Sequence, residues 1–340
     1  MTRTRSSGEA LRTILIPMTV PEDALAALRT EFREIRFIVP GEGIDAQGRY
    51  QVAPAEPTAD EIAAADAVIA WRATPEMLAA PRLRWIHSGG AGVDGFDLAA
   101  IGARGITLTN SSGIAAPNIA EHVLGMMIAL ARRLPTLVRA QARHEWRDHQ
   151  THAEVSELGG SSLLIVGVGD IGRAVASRAT AFDMRLSGVR RRPDADPPPG
   201  FERIFGADAL HKAIASADHV VITLPGTRQT ARLFDAAAFA AMKPGAIVYN
   251  VGRGSVIDTA ALVDALQSGH LGGAGLDVTD PEPLPQDSPL WEMENVLITS
   301  HTSGATPRYW DRLRPLIAAN IRRIQRGERP RNVVDLDAGY

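Results

Sequence analysis

The sequence predicts an α/β protein of two domains, one of them built on a doubly wound parallel sheet. Three observations carry that expectation. The chain has 340 residues, too many for one small domain and enough for two. Short apolar runs alternate with helical patterns along almost its whole length. A loop rich in glycine sits near the middle, directly between one such run and one such pattern.

The elements follow in order. TILIPM (13–18) reads as a strand, and PEDALAALRTEF (21–32) as a helix opened by proline. EIRFIVP, AVIAW and RWIHS read as strands. TADEIAAA and TPEMLAA lie among them as helices, each led by a threonine suited to capping. ITLTN (106–110) closes this set, and a longer helix is expected over 117–134. A second set begins at SSLLIV (161–166). It continues through MRLSGV, HVVITLP, AIVYNV, GAGLDV and NVLITS (295–300), with helical segments between most of them. Strands alternating with helices in this way suggest a parallel sheet covered on both faces. PDADPPPG (193–200) reads as a loop. After Thr299 one long helical pattern remains, at about 307–326.

Composition narrows the function. Hydrophobic residues make up 45% and charged residues 22%, an ordinary globular profile. A formal net charge of −3 offers no global basic field for nucleic acid or an anionic membrane. Cysteine is absent, which excludes disulfides, thiolate metal sites and cysteine nucleophiles. The N-terminal residues MTRTRSSGEALRT lack the apolar core of a signal peptide, and VLGMMIALA (123–131) is too short to span a bilayer. A soluble cytoplasmic protein with no metal is expected.

The central loop is LLIVGVGDIGRAVASRA. Gly167, Val168, Gly169, Asp170, Ile171 and Gly172 form G-x-G-x-x-G after a strand and before a helix. That spacing permits a tight turn, a close approach of backbone to a pyrophosphate and tight helix–strand packing. The helix N-terminus adds donors and partial positive charge for the phosphates. About twenty residues on, the end of the second strand meets the adenosine ribose, and an acidic residue there binds the 2′-hydroxyl of NAD. MRLSGV is followed instead by Arg190, Arg191 and Arg192. Guanidinium groups suit a 2′-phosphate, so NADP(H) is expected to be preferred, with NAD(H) the alternative.

Five motifs in order give a family resemblance: VGVGDIG, LPGTRQT, MKPGAIVYNVGRGSVIDTAALVDAL, GAGLDVTDPEP and NVLITSHTSGAT. With them the sequence resembles the D-isomer-specific 2-hydroxyacid dehydrogenases, over nearly the whole chain and most strongly over 160–304. The resemblance implies two Rossmann-like domains. A dinucleotide-binding domain (111–301) would be inserted in a smaller, flavodoxin-like substrate domain (1–110 and 302–340). It implies catalytic roles for Arg253, Glu282 and His301. The chemistry agrees. Arginine grips a carboxylate and a ketone through its fork of donors. Histidine supplies a proton to the forming alkoxide near neutral pH. A carboxylate on the far ring nitrogen orients the imidazole and favours its charged form.

Further positions are implied by the resemblance. GGAGVD (89–94) would bind the substrate carboxylate near Ala91 and Gly92. Asp277 would hold the nicotinamide carboxamide, or else be a buried, capped aspartate. Val251 and Gly252 would line the nicotinamide side, Leu224, Pro225 and Thr230 would flank the adenosine half, and Gly304 would also bind the cofactor. NSSGIAAPNIAEH (110–122) resembles the hinge, and RHEWRDH (143–149), with Trp146, the arm of family homodimers. Trp71, Arg72 and the Tyr309–Trp310 pair are pocket walls or packing residues. GVDGFD departs from relatives that carry asparagine after the aspartate.

The expected activity is 2-oxo acid reduction, on a small substrate such as glyoxylate or hydroxypyruvate. Glu282 argues against formate chemistry, where glutamine partners the histidine. A broad-specificity 2-ketoacid reductase and an NAD-dependent phosphoglycerate-dehydrogenase-like enzyme are alternatives; the chain ends too soon for the regulatory domain of long phosphoglycerate dehydrogenases. A corepressor-like, nucleotide-sensing binding module is the rival of a different class.

Overall fold

The computed structural model describes residues 10–44, 50–52, 55–147, 154–191, 193 and 197–340. The chain divides into two compact units, 1–114 with 306–340, and 115–305. The boundaries expected from sequence fall at 110/111 and 301/302, a few residues before these. Both units are parallel α/β sheets flanked by helices, so the structure is the two-domain Rossmann-like fold.

The first unit contains β1 (Thr13–Leu15), β2 (Arg36–Ile38), β3 (Glu42–Ile44), β4 (Tyr50–Val52), β5 (Ala67–Ala70), β6 (Trp85–Ser88) and β7 (Thr107–Thr109). Its parallel sheet runs β2-β1-β5-β6-β7, and β3 and β4 form a separate antiparallel hairpin. Alternation along β1 explains the layering. Ile14 and Ile16 pack on one face with Leu28, Ile317 and Ile321, whereas Leu15 packs on the other with Ile86 and Leu108. Ile317 and Ile321 belong to the helix Tyr309–Gln325, so the C-terminal segment returns to this first unit.

The second unit contains β8 (Ser162–Val166), β9 (Arg185–Val189), β10 (Arg203–Phe205), β11 (His219–Ile222), β12 (Ile247–Asn250), β13 (Gly273–Leu276) and β14 (Val296–Ile298). The sheet is fully parallel, in the order β10-β9-β8-β11-β12-β13-β14. Leu164 and Val166 face one core cluster, and Leu163 and Ile165 the other. Burial on both faces is why these strands read as continuous apolar runs. The order reverses direction at β8, between β9 and β11, which makes a switch-point crevice at the carboxyl ends of the strands.

Three local features differ from the sequence reading. The helix expected over 117–134 is Ala116–Ala131, and a second helix, Leu134–Ala142, follows it. Arg133 between them is left-handed (φ 55°), and Pro135 lies in the first turn of the second helix, where its missing N–H does no harm. The three-residue strand β10 and the β3–β4 hairpin were not expected.

Candidate active site

All strands of the second unit point their carboxyl ends to one edge, and most of the candidate residues follow those ends. Gly167 follows β8, Arg190 follows β9, Leu224 follows β11, Arg253 follows β12, Asp277 follows β13 and His301 follows β14. Arg190 therefore lies on one side of the switch point, and Arg253, Asp277 and His301 on the other.

His301 and Glu282 meet directly. The His301 Nδ1 is 2.6 Å from the Glu282 Oε1. Nδ1 being engaged, Nε2 is the nitrogen left for another partner, and the His301 side chain is half exposed, at 51%. A carboxylate on one ring nitrogen and an open second nitrogen are what an oriented general acid–base needs. Arg253 is part-buried and extended (φ −139°), and its Nη1 donates to the Gly252 carbonyl at 2.8 Å. Its own carbonyl accepts from Asn250 Nδ2 at 3.0 Å, while Asn250 Oδ1 accepts from the Gly252 amide at 3.1 Å. Asn250 is fully buried at the end of β12, so the turn that presents Arg253 is fixed from below.

The glycine loop fits a dinucleotide. Gly167 has φ 107°, a left-handed backbone that favours glycine. A Cβ on Gly172 would stand 2.3 Å from the Gly167 carbonyl oxygen, so strand and helix pack at glycine distance. A Cβ on Gly169 would meet nothing within 4 Å, which leaves an open cradle at the N-terminus of the helix Asp170–Ala179. No side chain caps that N-terminus, and a helix N-terminus carries backbone donors and partial positive charge that suit a phosphate. In the same turn Asp170 accepts from Arg173 at 2.8 Å. Val168 is a core residue, 7% exposed, rather than part of the open surface. Pyrophosphate binding at this loop is therefore sterically and electrostatically allowed.

Around it, Thr230 Oγ1 donates to the Pro225 carbonyl at 2.7 Å and accepts from the Thr227 amide at 2.9 Å, closing the turn after β11. Val251 is buried, and a Cβ on Gly252 would stand 2.5 Å from the Leu224 carbonyl oxygen. Gly304 has open space at its Cβ position. The Arg190 amide donates to the Phe205 carbonyl at 3.1 Å, which ties the start of the arginine run to β10. Arg190 is part-buried with Nε and Nη2 shielded from solvent, and Arg191 is exposed. Arg192 lies outside the described residues.

Asp277 is 2% exposed, and the structure surrounds its carboxylate with protein donors. Oδ1 accepts from Thr299 Oγ1 at 2.6 Å and from the Thr302 amide at 2.9 Å. Oδ2 accepts from the Ser303 amide at 3.2 Å and from the Ser303 hydroxyl. Asp277 is thus buried and capped by the loop that follows β14. Residues that sequence reasoning did not single out join it. His122 Nε2 is 2.9 Å from Thr299 Oγ1, and Asn118 Nδ2 donates to the Ser303 carbonyl at 2.7 Å. Both lie on the helix Ala116–Ala131, inside the 110–122 segment read from sequence as a hinge; their contact with the loop was not foreseen, because its residues are more than 170 positions away.

In the first unit, the loop 89–92 has every carbonyl occupied. Gly89 accepts from the Tyr309 hydroxyl at 2.8 Å, Gly90 from the Ser111 amide at 2.9 Å, Ala91 from Asn110 Nδ2 at 2.8 Å and Gly92 from Ser88 Oγ at 3.0 Å. Ala91 is exposed. Of its amides, that of Gly89 donates to the Ala70 carbonyl at 2.9 Å and that of Gly90 to Ser88 Oγ at 3.3 Å. Trp71, 55% exposed, stacks on Tyr309 with ring centroids 5.5 Å apart. Beneath the loop, buried His87 bonds Thr109 and Ser111 at 2.7 and 3.1 Å. Burial pushes its imidazole down to about 3, so it stays neutral and structural. Among the described residues no group of three or more metal-ligating side chains occurs.

Comparison with known proteins agrees with this geometry. The NAD-binding domain of the D-isomer specific 2-hydroxyacid dehydrogenases matches residues 124–303. The chain is 32% identical over 331 residues to D-3-phosphoglycerate dehydrogenase of Mycobacterium bovis, covering 97% of this chain. It spans 60% of the length of that relative. A D-isomer specific 2-hydroxyacid dehydrogenase from Xanthobacter autotrophicus Py2, solved with NADPH and MES, is 31% identical at a TM-score of 0.79, covering 97% of this chain and all of that one. An NADPH-dependent glyoxylate/hydroxypyruvate reductase from Sinorhizobium meliloti, solved with NADP and sulfate, is 27% identical at a TM-score of 0.79, with 97% of this chain and 100% of that one covered. Parallel strands with a glycine cradle at their switch point, and a histidine–carboxylate pair on the same edge, thus meet a matching sequence: the chain belongs to the D-isomer specific 2-hydroxyacid dehydrogenases, a family of NAD(P)-dependent oxidoreductases.

Proposed function

We propose that the protein is an NADP(H)-preferring D-2-hydroxyacid dehydrogenase working as a reductase of small 2-oxo acids of the glyoxylate or hydroxypyruvate type. The observation that carries the reaction is the 2.6 Å contact between His301 Nδ1 and Glu282 Oε1 on the strand edge that also presents Arg253. Arg253 binds the substrate carboxylate and polarises the ketone. His301 donates its Nε2 proton to the ketone oxygen in reduction and takes it back in oxidation. Glu282 orients the ring and balances its charge. When bound, the nicotinamide cofactor supplies the hydride for reduction and accepts it in oxidation. Gly167 to Gly172 would hold its pyrophosphate, and Asp277, Val251, Gly252 and Gly304 would surround its nicotinamide half. Leu224, Pro225 and Thr230 would flank the adenosine half. Ala91 and Gly92 would offer amides to the substrate carboxylate.

NADP(H) preference rests on the residues just past the end of β9, where Arg190 and Arg191 stand in place of an acid. A guanidinium at this position repays a 2′-phosphate and gives a ribose hydroxyl little. The NADPH and NADP carried by the two similar structures support the reading. A homodimer fits an apolar groove of about 390 Å³ lined by Leu134, Val138, Leu290, Trp291 and Val296. Exposed Trp146 comes after the helix that lines it, as a family-like arm would.

Turnover of purified protein with glyoxylate or hydroxypyruvate tests the reading, with NADPH and NADH compared. Oxidation of NADPH that depends on the 2-oxo acid is expected. Cofactor binding without turnover on any 2-oxo acid would favour a binding module.

A further inference from the structure

The segment 299–305 is anchored from two sides, by Asp277 and by the helix Ala116–Ala131. His301 sits at φ 53° in the left-handed region, uncommon for a side-chain-bearing residue. Its amide donates to the Asp277 carbonyl at 2.8 Å. The next two amides, of Thr302 and Ser303, turn onto the Asp277 carboxylate at 2.9 and 3.2 Å. From the other side, Asn118 Nδ2 donates to the Ser303 carbonyl at 2.7 Å and to the Ala305 carbonyl at 3.3 Å. His122, one helical turn on, reaches Thr299 Oγ1 at 2.9 Å.

The direction of that last bond follows from proton count. The Thr299 hydroxyl has one proton, and at 2.6 Å it goes to the Asp277 carboxylate, which can only accept. Thr299 is therefore an acceptor toward His122, and Nε2 carries the hydrogen. His122 Nε2 also lies 3.8 Å from Asp277 Oδ1, so the donor's partial charge faces the buried carboxylate. His122 thus donates to Thr299 and Thr299 to Asp277, whose carboxylate also accepts the Thr302 and Ser303 amides of the loop bearing His301.

We infer that His122 and Asn118 are positioning residues for His301, and that with Asp277 they set the imidazole against Glu282. The inference rests on the proposed role of His301 as acid–base. Neither residue touches the reacting atoms. Without them the left-handed turn at His301 loses its carbonyl and hydroxyl anchors, and the ring is free to leave the geometry that its 2.6 Å contact with Glu282 requires. Asp277, fully engaged by the loop, contributes here through His301 and not only through a cofactor contact.

His122→Leu removes the donor, and His122→Gln returns one at similar reach. His122→Leu is expected to lower kcat about tenfold or more, with the dissociation constant for NADPH within about twofold of wild type. The limb of the pH–rate profile that reports His301 should shift. His122→Gln should recover most of the lost kcat. Asn118→Ala, read the same way, serves if His122→Leu does not fold. Unchanged kcat and pH profile in a folded variant would overturn the inference. So would an equal loss of cofactor binding that glutamine fails to rescue. His301→Ala, assayed beside them, separates the two levels. If it retains turnover, the acid–base role itself falls; if it is inactive while His122→Leu and Asn118→Ala match wild type, only the positioning role falls.

Discussion

At the residue scale, the division of labour on the strand edge makes unequal demands on its members. His301→Ala should remove nearly all reduction while NADPH still binds, because in the proposed mechanism the ring contributes a proton and not the cofactor cradle. Near-normal turnover in that variant would refute the assignment. Glu282→Gln keeps a hydrogen-bond acceptor on Nδ1 but loses the charge, so kcat should fall about 100-fold with the substrate KM less affected. Arg190→Asp should weaken NADPH use by at least about tenfold more than NADH use, since the change replaces a donor fork with a repelling carboxylate. Equal losses for the two cofactors, in kcat/KM, would make the arginine run a solvated loop.

At the element scale, the glycine loop is a joint between a strand and a helix. Gly172→Ala would place a Cβ 2.3 Å from the Gly167 carbonyl oxygen, so the helix must move off β8. The expected outcome is a loss of about 1–3 kcal/mol in stability, with NADPH affinity falling at least as clearly. Urea unfolding and a binding titration on the same sample check it. The strands around this joint were legible because both faces of a parallel sheet are buried, and SLLIV or HVVI then shows no polar interruption. The arginine after β9 and the histidine after β14 were legible for a related reason: a strand end is a definite place, and an unexpected residue there stands out. β10 was not legible. It has three residues at the edge of the sheet, part-buried and led by an arginine. The split of the long helix was signalled by Pro135, yet the left-handed turn at Arg133 has no glycine to announce it. The anchoring contacts of Asn118 and His122, inside the segment read as a hinge, were hidden for a different reason. Their partners lie at Thr299, Ser303 and Ala305, and only the fold brings such distant positions together.

At the scale of the whole molecule, two buried histidines make stability depend on pH. Burial pushes His87 down to about 3 and His219 down to about 4, the latter against the opposing charge of Asp218. Both are neutral in the native state, whereas an unfolded histidine titrates near 6.5. Below that value the unfolded chain binds more protons, so stability rises with pH. Their contribution is complete above pH 6.5 and is lost as pH falls through about 4 for His219 and about 3 for His87, at up to about 1.4 kcal/mol per pH unit for each histidine. Asp218 adds a lower limb. Burial opposes ionisation, but hydrogen bonds from Lys243 and Ser162 outweigh it and hold the carboxyl at about 2. That stabilisation is present above pH 4 and disappears on acidification toward 2. Urea midpoints measured from pH 8 to pH 4 should therefore fall steadily below pH 6.5. His219→Gln, which retains a polar partner for the Tyr249 hydroxyl, should flatten the slope by about half. A midpoint independent of pH over that range would contradict the account.

The central claim is that the strand edge of the second unit reads a phosphorylated nicotinamide cofactor and reduces a 2-oxo acid with it. The most direct measurement is kcat/KM for NADPH and NADH side by side, with glyoxylate, hydroxypyruvate and a bulkier 2-oxo acid. The account predicts turnover with the small acids and a preference for NADPH of about tenfold or more. Equal use of the two cofactors, a preference for NADH, or no turnover with any of these acids would contradict it.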